Sequence, residues 1–81
     1  MRTKIQNKTA SAEIESLGAQ LMSLKNAEGT EYLWQGNPAF WSSRAPVLFP
    51  YVARLTDGCY TLCGERYSMD IHGFAKDSVF T

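Results

Sequence analysis

The chain holds one histidine, His72, set directly before Gly73 at the exit of a predicted hairpin. An imidazole is the side chain best matched to moving protons near neutral pH, although a lone histidine in a small domain is more often structural than catalytic. Arg54 follows a proline-rich apolar loop and precedes a turn. A guanidinium there can donate several fixed hydrogen bonds to ligand hydroxyls, or lie on the surface without a ligand. Tyr32, Trp34, Phe40, Trp41, Phe49, Tyr51 and Phe74 form an aromatic set. Aromatic faces stack on the C–H faces of sugar rings, and they also fill cores, which is the reading for most of these residues. Cys59 and Cys63 sit four apart in a predicted strand, which separates their Cα atoms by roughly 13 Å. That is beyond disulfide reach and awkward for a shared metal, so both read as reduced, half-buried strand residues.

The elements that position these groups are short and mostly extended. Ile14, Leu17, Leu21 and Leu24 fall at helical spacings of three, four and three, yet Gly18 interrupts the stretch and Ala10, Ala12 and Ile14 alternate with polar residues as in a strand. Two strands turning at Leu17-Gly18 are expected. Asn26-Ala27-Glu28-Gly29 predicts a tight turn, with Glu31-Tyr32-Leu33-Trp34 as the second strand of a hairpin. From Phe40 to Tyr51, Pro46 and Pro50 bracket Val47-Leu48-Phe49, which predicts an apolar loop or short edge strand that must pack against something. Thr56-Asp57-Gly58 predicts a turn, Cys59 to Cys63 a strand, Gly64-Glu65 a second turn and Arg66 to Met69 a returning strand. Ser78-Val79-Phe80-Thr81 reads as the middle of a further strand.

At 81 residues the chain is one small domain at most, and about 60 to 65% of the surface of its unfolded form can be buried. Eight basic and eight acidic side chains balance. A nucleic-acid or acidic-membrane partner, which calls for a basic face, is therefore not expected. No run of signal-peptide or transmembrane length is present, and a cytoplasmic location is the expectation. No repeat, low-complexity tract or linker divides the chain.

Taken in order, Leu17-Gly18-Ala19, Glu31-Tyr32-Leu33-Trp34-Gln35-Gly36, Trp41, Ala45-Pro46-Val47-Leu48-Phe49-Pro50, Arg54-Leu55, Asp57-Gly58 and His72-Gly73-Phe74-Ala75 resemble the opening of the aldose 1-epimerase family, also called galactose mutarotases. Within it the likeness is to the bacterial LacX-type branch, and it runs from roughly Ile5 to Phe80. Several linked motifs in one order are far more specific than any one of them. The resemblance implies an all-β fold, an antiparallel β-sandwich of the galactose mutarotase-like kind. Residues 1–81 would be the N-terminal part of a single such domain, a fragment of hairpins truncated at its C-terminus. It also overrules a helix for Ile14 to Leu24.

The implied chemistry is interconversion of the α and β anomers of an aldohexose. A base removes the C1 hydroxyl proton, an acid protonates the ring oxygen, and rotation about C1–C2 precedes reclosure. Carried over by motif, His72 matches the first of two active-site histidines, the one contacting substrate near the ring oxygen, and Arg54 matches an arginine that binds sugar hydroxyls. Phe74 and Lys76 join them as substrate-binding residues. Lys76 stands where related branches carry arginine. It keeps a charge for a phosphorylated sugar but not the bidentate fork, and an exposed lysine without a ligand is the alternative. The second histidine and the glutamate base come from later strands in the family. The expectation is therefore a small-molecule sugar partner, no cofactor or metal, no catalysis by these residues alone, and self-association through open strand edges. A non-catalytic carbohydrate-binding module is the alternative of a different class.

Overall fold

The first third of the chain forms three antiparallel strands, β1 (Arg2–Gln6), β2 (Ala10–Glu15) and β3 (Gln20–Asn26), in the order β1-β2-β3. The computed structural model describes all of residues 1–81. Strand β1 was not anticipated: Ile5 is its only apolar residue, so it shows no alternation, and its pairing sets Ile5 opposite Ala12. The helix-like spacing downstream also has a physical origin. Ala12 opposes Leu24 and Ile14 opposes Leu21, with a register shift between Glu13 and Ile14. Directly opposed residues share a face, so the extra residue of this bulge puts Leu21 and Leu24 on one side although they are three apart.

The turn from β2 to β3 is the first junction of the molecule. Gly18 takes φ +74° and is buried. Its N–H donates to the Ser78 carbonyl at 2.7 Å, and its carbonyl accepts from Val47 N–H at 2.9 Å. A Cβ at Gly18 would stand 2.7 Å from the Lys76 carbonyl oxygen. One glycine thus joins the sheet to the 45–47 and 76–78 segments.

The expected strand at Glu31–Trp34 reduces to a single bridge between Lys25 and Glu31. Its cause is the Glu31 carboxylate, which accepts from Ser23 Oγ at 2.5 Å, Leu24 N–H at 2.7 Å and Leu33 N–H at 3.2 Å. Backbone donors that a ladder would use are taken by a side chain. Those bonds, Ser23 first and then Leu24, hold the Glu31 carboxyl below its ordinary value. A lowered folded pKa means that the resulting stability is present above the unfolded value and is lost as pH falls through the folded one. We expect Glu31→Gln to lower the urea midpoint at neutral pH and the difference from the unsubstituted chain to close below about pH 4, the unperturbed range of the carboxylate.

Residues 40–51 form the expected irregular loop, latched to β3. Leu21 N–H donates to the Ala45 carbonyl at 3.3 Å, and Gln20 Oε1 accepts from the backbone N–H groups of Arg44 and Ala45 at 3.0 and 3.2 Å. Beyond a short 3-10 turn at Thr56–Gly58 come β4 (Cys59–Leu62) and β5 (Glu65–Ser68), paired antiparallel. Cys63 lies in the turn of this hairpin rather than in its strand. Cys63 and Gly64 both take positive φ, +52° and +81°, as a two-residue turn matched to strand twist requires. Both cysteines are free, Cys59 half-buried and Cys63 exposed. The strand expected at Ser78–Thr81 is only a bridge between Leu17 and Val79, after a 3-10 turn at Ala75–Asp77.

The radius of gyration is 16.2 Å, whereas a compact domain of this length has about 12 Å. Only Gly18, Ser23, Gly73 and Ala75 are buried. Phe40, Trp41, Phe49, Phe74 and Phe80 are exposed. The outer edge of β1 and both edges of the β4–β5 pair have no neighbouring strand. No helix is long and apolar enough to cross a membrane.

Candidate functional site

The site is built where the loop carrying Phe49 to Arg54 crosses the exit of the second hairpin. The Phe49 carbonyl accepts from Phe74 N–H at 2.9 Å and Ala75 N–H at 3.3 Å, and Phe49 and Gly73 form a parallel bridge. Gly73 is buried with φ +77°. A Cβ there would overlap the Phe49 carbonyl oxygen and come within 2.7 Å of Pro50 Cδ, so only glycine permits this approach. Tyr51 fastens the other end of the loop, its hydroxyl reaching the carbonyls of Met69, at 3.1 Å, and Asp70.

His72 is gripped twice by Ala53, the residue before Arg54. Its backbone N–H donates to the Ala53 carbonyl at 2.8 Å, and its Nδ1 accepts from Ala53 N–H at 2.8 Å. Both residues lie in the left-handed region, Ala53 at φ +78° and His72 at φ +64°. Such a conformation costs a non-glycine residue roughly 1 to 2 kcal/mol and persists where the surroundings enforce it, commonly at functional sites.

The ring lines a concavity of about 290 Å³ with Trp41, Arg44, Leu48 and Lys76. Arg54 lines a second one of about 320 Å³ with Asp70, Ile71 and, again, Lys76. Lys76 is thus the residue common to the two. Its ammonium is paired with Asp77 at 2.7 Å, a carboxylate that opposes a second anion at the same group. Phe74 stands apart from both concavities. It packs edge-on against Phe49, ring centroids 5.9 Å apart, and lines a separate concavity with Met69, Asp70 and Asp77.

Three neighbours of His72 were not singled out from the sequence as site residues. Trp41, one of the aromatic set, is exposed and lines the same concavity. Arg44 donates from Nη1 to the Met22 carbonyl at 2.7 Å and to Gln35 Oε1 at 3.2 Å, which anchors a cation at the rim. Its position directly before Ala45-Pro46 was the available signal. Ala53 carries no side-chain signal, since it acts through its backbone. Chemically, the His72 concavity offers donors, two cations and an aromatic face, while its lining holds no carboxylate and no second imidazole. Such a surface can bind and polarise a hydroxylated ligand but brings no base of its own.

The family model for aldose 1-epimerase matches residues 1–81. The chromosomal and plasmid LacX proteins of Lactococcus lactis are each 40% identical over 86 aligned residues, which cover 100% of this chain and 29% of theirs. A galactose mutarotase related enzyme from Lactobacillus acidophilus superposes with a TM-score of 0.94 at 40% identity, over 100% of this chain and 27% of that one. A galactose mutarotase-like protein from Lactobacillus casei gives 0.95 at 39% identity, over 100% and 28%. The chain therefore spans less than a third of the length of these relatives. Its fold is all-β, antiparallel and galactose mutarotase-like, as the sequence motifs implied. The chain belongs to the aldose 1-epimerase family.

Proposed function

We propose that residues 1–81 are the N-terminal part of a single aldose 1-epimerase-like domain and supply the substrate-contacting half of its sugar site. In this reading His72 Nε2 faces the ring oxygen of an aldohexose and Arg54 binds its hydroxyls. Lys76 lies between them, and Phe74 supports the Phe49 loop from behind. The observation that carries the reading is the His72–Ala53 double hydrogen bond, which fixes His72 at the wall of a concavity rich in donors and lined by no carboxylate. Anomer interconversion requires a proton to leave the C1 hydroxyl as another reaches the ring oxygen, so donors alone do not turn over. Pairing of Lys76 with Asp77 favours an unphosphorylated sugar over a hexose phosphate.

The test is polarimetry on freshly dissolved α-D-galactose and α-D-glucose. The 81-residue chain is expected to leave the spontaneous rate unchanged. A graft, in which it replaces the matching opening of the Lactobacillus acidophilus protein, is expected to accelerate the reaction. Acceleration by the chain alone that disappears in His72→Ala would overturn the division of the site.

A further inference from the structure

We infer that Ala53 is a positioning residue that selects the protonation site of the His72 ring, so that His72 meets its ligand as a hydrogen-bond donor from Nε2. This rests on the reading of the concavity as a sugar site. Two contacts carry it. Ala53 N–H points at Nδ1 at 2.8 Å, and an N–H can only be answered by a lone pair. The single proton of the neutral ring is therefore on Nε2, since the hydrogen bond made by one ring nitrogen decides the state of the other. The reciprocal contact, His72 N–H to the Ala53 carbonyl at 2.8 Å, fixes the His72 backbone against that of Ala53. Two left-handed residues face each other across this pair, and the strain each carries is compensated only while both bonds are made.

The consequence concerns what His72 does to a ligand. A neutral imidazole with its proton on Nε2 offers the concavity a donor, and its remaining lone pair is already occupied. It polarises an acceptor oxygen without receiving a proton from the substrate, so the proton leaving the C1 hydroxyl must go to a group other than His72. The ring keeps its own proton, as a neutral imidazole serving as an electrophile does. Arg44 and Lys76, the two cations lining the same concavity, add positive potential without competing as acceptors.

His72 is the one histidine that residues 1–81 bring to the graft, so the imidazole signals lost in His72→Asn are its own. The experiment is long-range proton–nitrogen NMR on the ¹⁵N-labelled graft without sugar, at a pH where the ring is neutral. We expect an unprotonated Nδ1, a protonated Nε2, and a coupling across the hydrogen bond between the Ala53 amide and Nδ1. Ala53→Gly keeps the N–H and relieves the left-handed strain, so it should retain that coupling. His72→Asn places an acceptor where Nδ1 was and should keep the Ala53 amide protected from exchange, whereas His72→Gln should not. A ring averaging between tautomers, with no coupling and an unprotected Ala53 amide in an otherwise folded graft, would overturn the inference. No sugar enters the measurement. The coupling can therefore be absent while the graft still epimerises, which defeats this inference alone, or present while no sugar is turned over, which defeats the functional reading alone.

Discussion

Gly73→Ala is expected to remove the loop crossing on which the site is built. The added methyl overlaps the Phe49 carbonyl oxygen, which also accepts from Phe74 and Ala75 N–H, so relief on one side breaks hydrogen bonds on the other. To this is added the left-handed backbone at φ +77°. Together the two effects cost about 2 to 5 kcal/mol, a left-handed non-glycine residue and an overpacked contact each contributing. In the graft the expected fall in melting temperature is about 5 to 15 °C. An unchanged melting temperature would show that the Phe49 loop and the His72 turn are not held together as described.

The second large effect is expected on rate. His72→Ala removes both the Nε2 donor and the acceptor that satisfies Ala53 N–H, so it should slow the graft and weaken the local structure at once. Groups positioned for acid–base or donor roles in such reactions contribute typically about 10² to 10⁴-fold. The expected loss in kcat/KM lies in that range. An amide N–H left without its partner also costs about 1 to 3 kcal/mol if it stays away from water. A loss of rate on its own would therefore not separate chemistry from folding. Asparagine does separate them, because its short side chain keeps an acceptor for Ala53 N–H and tolerates positive φ.

The parts of this arrangement that were legible in the sequence are those written in side chains. The turn at Leu17-Gly18, the irregular Phe40–Tyr51 loop and the second hairpin follow from glycine, proline and alternation, and the structure contains all three. The His72-Gly73-Phe74-Ala75 run marked the turn that the Phe49 loop crosses, again through its glycine. What stayed hidden is carried by backbone and by competition. Ala53 acts through its N–H and carbonyl, and nothing in an alanine announces φ +78°. The strand expected at Glu31–Trp34 did not form because one carboxylate captured the donors of Leu24 and Leu33, a tertiary event with no local signature. The bulge at Glu13/Ile14 imitated a helical repeat by shifting the strand period by one residue. Cys63 left its strand because the two-residue turn needed its φ of +52°. Exposure of Trp41, Phe49 and Phe74 has the same character: composition suggested a core, but these residues close over little within the chain itself.

The central claim is that His72, held through Nδ1 by Ala53, contributes a donor to a sugar site completed by later strands. It is tested most directly by polarimetric mutarotation of α-D-galactose and α-D-glucose with the His72→Asn graft beside the unsubstituted graft, at matched melting temperature. The account predicts an enzyme that remains folded and slows by about 10²-fold or more on whichever sugar the unsubstituted graft turns over. A His72→Asn graft within twofold of the unsubstituted rate would contradict it.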